Sequence, residues 1–310
     1  MESKGRVYLL ASIFGALSAL IVVFVSGFAF NTKPSTQENR DYIKHINENY
    51  RIYSLPLPEQ ADFCNEKMPL EVTDVAERLD RELLVNSYWH SNTLLSIKRS
   101  RRWFPVIEPI LKKNGVPDDF KYLSLIESGF TNAVSPAGAV GFWQFLPETA
   151  KQYGLEVNEE VDERYHVEKS TEAACAYLKD AYNKFGSWTN VAASYNMGMG
   201  GVSKQQTRQG ESNYYDLLLN EETSRYLFRI VALKEIVNNA DKYGFVVRPS
   251  DLYEPYSFQL VKIDGPVDDF GIFAKEHGMN YKEFKILNPW LRESFLKNKN
   301  KKEYFVKVKE

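Results

Sequence analysis

Cysteine and histidine are scarce in this chain, and the scarcity removes whole classes of chemistry. Two cysteines, Cys64 and Cys175, are too few for a disulfide scaffold or a four-cysteine zinc site. Cys175 lies in "EAACAYL", where a small buried helix residue is the expected role. Four scattered histidines (His45, His90, His166, His277) offer no HExxH spacing, so neither a metal nor a cofactor is expected. Charge of one sign is missing too. The 39 basic residues stand against 41 acidic ones, a net charge of −2, which argues against a dedicated nucleic-acid binder. There are no low-complexity segments and no internal repeat. "SYNMGMGGV" is neither a Walker loop nor a GxGxxG after a strand.

What is present is globular. Hydrophobic residues make up 44% of 310, ample for a core. Aromatics are plentiful (19 Tyr, 19 Phe, 5 Trp), which suits stacking on sugars, though packing accounts for most of them. Val7 to Phe30 carries no charge and comes after Lys4 and Arg6. That run is long enough to cross a bilayer, with the basic flank on the cytoplasmic side. An uncleaved anchor is expected over residues 1–30, with a cleaved signal peptide as its rival. Either way the rest of the chain is expected to leave the cytoplasm.

Residues 31–60 are polar, with Pro34, Pro56 and Pro58, and read as a linker. Residues 61–113 read as a helical region packed on the domain that starts at residue 114. "TDVAERLDRELL" offers Thr73 and Asp74 as cap candidates and puts Val75, Leu79 and Leu83 on one face. "KRSRR", Lys98 to Arg102, is either an anion site or a solvated helix face. In "NGVPDDFKYLSLIESGF", Gly115 closes one helix while Pro117, Asp118 and Asp119 open the next. Leu123, Ile126 and Phe130 recur at helical spacing, so Glu127 falls at the end of a short buried helix, with Gly129 turning the chain. Further helices are predicted in "LPETAKQYGL", "KSTEAACAYLKDAYNKFG", "SWTNVAASYN" and "EETSRYLFRIVALKEIVNNA". Strand-like runs are scarce until "FQLVKIDG" and "EYFVKVK", which bracket two helical patterns in a β-α-α-β module over residues 252–310.

One window stands out. From Tyr122 to Pro147 the only charged residue is Glu127. At the chain's average a window this long would hold roughly six or seven charges. A desolvated carboxylate resists ionisation, so its pKa rises and it can donate a proton near neutrality. Glycosidic cleavage needs such a proton on the leaving oxygen. Buried acids also brace neighbouring elements through hydrogen bonds, and physics alone leaves both roles open.

The blocks "ESGF", "SPAGAVGFWQF", "ASYNMG" and "ETSRYLFRI", in this order and spacing, resemble the family 1 lytic transglycosylases. Within that family the likeness is to the MltD-type membrane-bound murein transglycosylases. "GVPDDFKYL", "VDERYHVEKST", "AACAYL" and "FGSW" add to it, so that it runs from about Pro69 to Phe245. The resemblance implies a mainly α chain, with an α+β lysozyme-like catalytic domain over residues 114–248. It implies cleavage of the β-1,4 bond between N-acetylmuramic acid and N-acetylglucosamine in peptidoglycan strands, leaving 1,6-anhydromuramyl ends. Glu127 would be the acid and base, with no second carboxylate needed. Ser128 would be its hydrogen-bonding neighbour. Gln144, Tyr195 and Asn196 would contact the saccharide, and Tyr226 would hydrogen-bond Glu127. Phe142 and Trp143 replace the family's Leu and Met, and are expected to narrow or restack the groove. Ser194 replaces an alanine. Gly141, Gly198 and Glu222 are expected to be structural. "IFAKEHGMNYKEFKILNP", Ile272 to Pro289, resembles the middle of a LysM domain without its usual opening. A sugar-binding module and a structural appendage both fit it. The lysines from Lys297 to Lys309 suit either an anionic polymer or a solvated tail. Two alternatives stay open for the whole: a muramidase hydrolysing the same bond, and a non-catalytic peptidoglycan-binding protein.

Overall fold

A computed structural model describes residues 36–49 and 52–310 of the chain. The expected anchor at residues 7–30 lies outside the described residues, and among those described no helix is long and apolar enough to cross a membrane. The chain is mainly helical, with eleven α-helices among the described residues and a C-terminal β-α-α-β module, as the sequence pattern predicts.

Two compact units divide it. The first contains α1 (Thr36–Asn49), inside the stretch expected to be a linker, together with residues 247–252. Arg248 ties these segments together, with its guanidinium 4.3 Å from the Tyr42 ring and a 2.8 Å hydrogen bond to Asn39 Oδ1.

The second unit holds everything else. It opens with a hairpin, β1 (Asp62–Phe63) and β2 (Glu66–Lys67), that the sequence pattern missed. Its turn residues Cys64 and Asn65 both take left-handed backbone (φ 55° and 64°), the geometry of a tight hairpin without the usual glycine. α2 (Thr73–Tyr88) buries Val75, Leu79 and Leu83 as its spacing requires. Val72 caps it rather than Thr73, and Asp74 pairs with Arg78 at 2.8 Å instead. α3 (His90–Lys113) comes next, and from it Arg101 and Arg102 hold the segment at residues 253–256.

α4 (Phe120–Ser128) is short and almost wholly buried. Asp119, expected as a cap, accepts from the Cys64 amide at 2.6 Å and from Lys234 at 2.8 Å, anchoring the helix start to the hairpin. Gly129 and Phe130 then both turn left-handed (φ 56° and 53°), which stops the helix sharply after Glu127. A turn-rich loop leads to α5 (Pro147–Gln152), α6 (Val167–Phe185), α7 (Trp188–Met197) and α8 (Met199–Gln209). α7 starts at Ser187, whose hydroxyl accepts from the Asn190 amide. α9 (Glu221–Asn238) packs against α2, α4 and α7, and so joins the helices that carry the site.

In the module, β3 (Gln259–Ile263) pairs antiparallel with β4 (Tyr304–Val308) around α10 (Phe270–Glu276) and α11 (Tyr281–Leu287). Phe270 stacks on Phe284 at 5.0 Å, and this core continues without a break into Val140, Val161 and Tyr165 of the helical part. Main chain closes the seam: Asp162 N–H donates to Trp290 O, and Arg292 N–H to Glu160 O, both at 2.8 Å. Three of the six lysines of the last stretch are held by carboxylates. Lys297, Lys302 and Lys307 pair with Glu160, Glu156 and Glu168.

Candidate active site

Glu127 sits one residue before the end of α4 and is half-buried, with protein packed around most of its carboxylate. Tyr226, fully buried on α9, donates its hydroxyl to Glu127 Oε1 in a short hydrogen bond. Burial and the adjacent glutamate hold the Tyr226 phenol well above its ordinary pKa, so it remains a donor. Burial also pushes the Glu127 carboxyl above its ordinary value. The Tyr226 hydrogen bond and the Arg229 charge oppose that rise, and Glu222 adds to it. The balance favours a carboxyl that holds its proton to higher pH than a surface glutamate.

Around this pair the named residues divide. Tyr195, on α7, donates to Trp143 O at 2.7 Å, and its ring lies 5.2 Å from that of Tyr177. Asn196 donates to Glu222 at 2.9 Å and accepts from Thr223 at 2.6 Å, linking α7 to the start of α9. Gln144 takes a left-handed backbone (φ 48°) and donates to Gly141 O and Ala133 O, fixing the loop on which it sits. The Ser128 hydroxyl is occupied at the helix end: it donates to Ser124 O and accepts from the Phe130 amide. The structure therefore brings Glu127 and Tyr226 into contact, while Ser128 and Gln144 direct these hydrogen bonds to the backbone.

Phe142 and Trp143 turn inward rather than restacking the groove surface. Trp143 is fully buried and donates its indole N–H to Thr171 at 2.9 Å. Phe142 packs edge-on against Trp103 with ring centres 4.8 Å apart. Gly141 has a hard steric reason, since a Cβ there would fall 2.1 Å from Arg164 O at a φ of +79°.

Sequence reasoning did not place Arg229, Arg99 or Glu222 near Glu127 and the end of its helix, although it read Arg99 within a cationic run and Glu222 as structural. Arg229 reaches the Ile126 carbonyl at 3.5 Å, Arg99 holds the Gly129 carbonyl at 2.9 Å, and Glu222 influences the Glu127 charge. The carboxylate that is alone in sequence is thus flanked in space by groups from α3 and α9. A helical pattern shows which face is buried, but not which distant helix lies opposite. A cavity of about 780 Å³ opens beside Ile126, Ser128 and Gly129, lined also by Arg99, Arg229 and Glu222.

Comparison with known proteins identifies the family. The profile of the family described as Transglycosylase SLT domain matches residues 104–218, which include Glu127, Ser128, Gln144, Tyr195 and Asn196 but end before Tyr226. The profile described as Soluble lytic transglycosylase C-terminal LysM-like domain matches residues 259–310. The chain is 30% identical over 237 residues to Membrane-bound lytic murein transglycosylase D of Escherichia coli K12, covering 74% of this chain and 51% of that protein. It is also 30% identical over 112 residues to a putative tributyltin chloride resistance protein of Alteromonas sp. strain M-1, covering 36% of this chain and 54% of that one. It thus spans about half the length of the curated relatives it matches. Among solved structures, an inactive variant of the lytic transglycosylase Slt of Pseudomonas aeruginosa matches with a TM-score of 0.38 and 18% identity, over 60% of this chain and 36% of that one. On its two matched domains, the chain belongs to the lytic transglycosylases that carry an SLT domain, here with a C-terminal LysM-like domain after it.

Proposed function

We propose that the chain cleaves the β-1,4 bond between N-acetylmuramic acid and N-acetylglucosamine in peptidoglycan, leaving 1,6-anhydromuramyl ends, in the cell envelope. The observation that carries the reading is the half-buried Glu127 carboxyl, raised above its ordinary pKa and held on one oxygen by Tyr226. With Oε1 engaged, Oε2 is the oxygen that faces the glycosidic bond. Protonated Glu127 donates to the leaving N-acetylglucosamine oxygen as the C1–O bond breaks. The resulting carboxylate takes the proton of the muramyl C6 hydroxyl, which closes on the anomeric carbon of its own sugar. The Tyr226 hydroxyl and Arg229 stabilise the carboxylate between the two steps. No water is consumed. Residues 7–30 would hold the enzyme to the inner membrane, with its catalytic part on the periplasmic side.

A muramidase is the second reading, and Glu222 favours it. This exposed acid is near enough to raise the Glu127 pKa and is held by Asn196, where a base could activate water. Mass spectrometry of peptidoglycan digested by the full chain separates the two. Anhydromuropeptides, absent from the Glu127→Gln digest, are the expected products. Reducing-end products one water heavier would establish hydrolysis. Sedimentation with the glycan and no release by either protein would leave a binding protein.

The pH profile is set by the sign of the shift. The reaction starts from protonated Glu127, so the rate should fall as pH rises through its elevated pKa. A rate that stays flat far into alkaline pH would count against the general-acid role.

A further inference from the structure

The cavity at the end of α4, lined by Ile126, Ser128 and Gly129, also holds two guanidinium groups that the reaction scheme leaves without a substrate partner. Arg99 and Arg229 both reach the end of α4, one on Gly129 O and the other on Ile126 O, and both line the cavity. Arg225, which also lines the cavity, is 2.7 Å from the buried Glu82. Arg99 differs. Its hydrogen bond is to a main-chain carbonyl, and among the described residues no carboxylate lies within ion-pair distance of it. Within "KRSRR", Arg101 and Arg102 turn to the segment at residues 253–256, while Arg99 turns to the cavity. At about 780 Å³ the space is large enough for a substituent of a sugar ring as well as the ring itself.

Capping is the plain role for these cations, because the last carbonyls of a helix lack partners and carry partial negative charge. One hydrogen bond each accomplishes that. A guanidinium has five N–H donors in a planar fork, so both arginines keep donors to present to the cavity. A carboxylate is the anion that matches such a fork.

We infer that this cavity binds a carboxylate of the muramyl substituent, with Arg99 as its principal ligand and Arg229 assisting, so that the enzyme favours strands bearing that charge. The inference rests on the proposed peptidoglycan activity and names the feature of the substrate that the site selects. Two sources share the chemistry. A muramyl residue free of peptide exposes its lactyl carboxylate, and one carrying a stem peptide exposes the carboxylates of that peptide. Arg99 acts by binding and takes no part in proton transfer. It is absent from the groups that bear on the Glu127 charge.

The test is binding of the full chain carrying Glu127→Gln, which leaves the glycan uncut. The probes are native sacculi, sacculi whose carboxylates have been converted to methylamides, and peptide-free glycan that retains its lactyl groups. Native sacculi, or peptide-free glycan where the lactyl group is the ligand, should bind about tenfold tighter than the methylamides, the scale of one charge-assisted hydrogen-bonded contact. Arg99→Gln should lose most of that preference and Arg99→Lys should keep most of it. A capping role alone would lower binding to both probes alike. Peptide-free glycan as the tighter binder, with native sacculi at the methylamide level, assigns the lactyl carboxylate; native sacculi as the tighter binder, with peptide-free glycan at the methylamide level, assigns the peptide. Equal binding of native sacculi, methylamide sacculi and peptide-free glycan by the Glu127→Gln chain overturns the inference without recourse to any arginine variant. Product analysis of the unsubstituted chain runs separately. Carboxylate-selective binding without anhydro products would sink the proposed reaction and leave this site standing, and the reverse result would do the opposite.

Discussion

Glu127, at the end of α4, and Glu168, in the first turn of α6, are both half-buried glutamates, and burial pushes both carboxyls towards the neutral form. Their partners then separate them. Glu127 meets a neutral phenol, and the nearby Arg229 is offset by Glu222, so burial prevails and its pKa rises. Glu168 meets Lys307 at 2.6 Å and His166 at 3.1 Å, the latter out of line for a strong hydrogen bond, and its pKa falls to about 2. The first holds its proton to higher pH than a surface glutamate, as the proposed general acid requires. The second is a fixed anion that fastens the C-terminal module to the helical part. Burial raises a carboxyl's pKa only where the partners do not cancel it.

The strongest way to break this contrast is Glu127→Gln. The amide can still accept from Tyr226 but cannot deliver a proton, so turnover should fall roughly a hundredfold to ten-thousandfold. The melting temperature should hold or rise, because the variant no longer buries an ionisable group. Measured turnover close to that of the parent would place the acid elsewhere.

Tyr226→Phe sharpens the contrast from the partner's side. The tyrosine is a positioning residue whose hydrogen bond lowers the Glu127 pKa, so its removal should raise it. The falling limb of the rate should move to higher pH, and turnover should drop roughly tenfold through lost orientation and a less stable carboxylate intermediate. A structural role alone would lower the rate without moving the limb.

At the other carboxylate, Lys307→Met should cost about 1–2 kcal/mol at neutral pH, since it strips one cation from a pair that is only partly screened by water. The sign of the pH effect is also set. The folded pKa of Glu168 lies below its ordinary 4.5, so its stabilisation is complete above that value and is lost as pH falls towards 2. In the variant the folded pKa moves back up, and chemical denaturation between pH 2 and 5 should show a shallower dependence. An unchanged slope would mean that His166 alone holds the carboxylate.

The same contrast explains what could be read from the sequence. Helix α4, its left-handed stop at Gly129 and the charge-free window around Glu127 are local signals, and residue spacing carries them. The approach of Arg99 and Arg229 is not local, because three helices must fold before α3 and α9 reach the end of α4. The Asp62–Lys67 hairpin was missed because its turn is Cys-Asn, without the glycine that marks such turns. Phe142 and Trp143 look like groove residues in a glycine-rich loop, yet the left-handed Gly141 and Gln144 on either side of them direct both rings inward. The module's own β-α-α-β pattern was legible. Its seam was not, because the pairing of Asp162 with Trp290 is main chain to main chain and leaves no trace in side-chain pattern.

The smallest expected effect tests whether a motif position matters by its chemistry or by its fit. Ser194 stands where the family pattern has alanine, and it is fully buried behind Tyr195. Its hydroxyl donates to Val191 O at 2.8 Å, within its own helix, so no partner elsewhere depends on it. The tie between helices runs instead through its carbonyl, which accepts the Tyr177 hydroxyl at 2.7 Å and survives any side-chain change. Ser194→Ala therefore removes a weak back-bond, gains helix propensity of about 0.5 kcal/mol, and should alter stability by less than about 1 kcal/mol. Turnover should not change. A measurable loss of turnover with stability intact would show that the hydroxyl positions Tyr195, and that the saccharide side of the site is tuned from behind as well as from within.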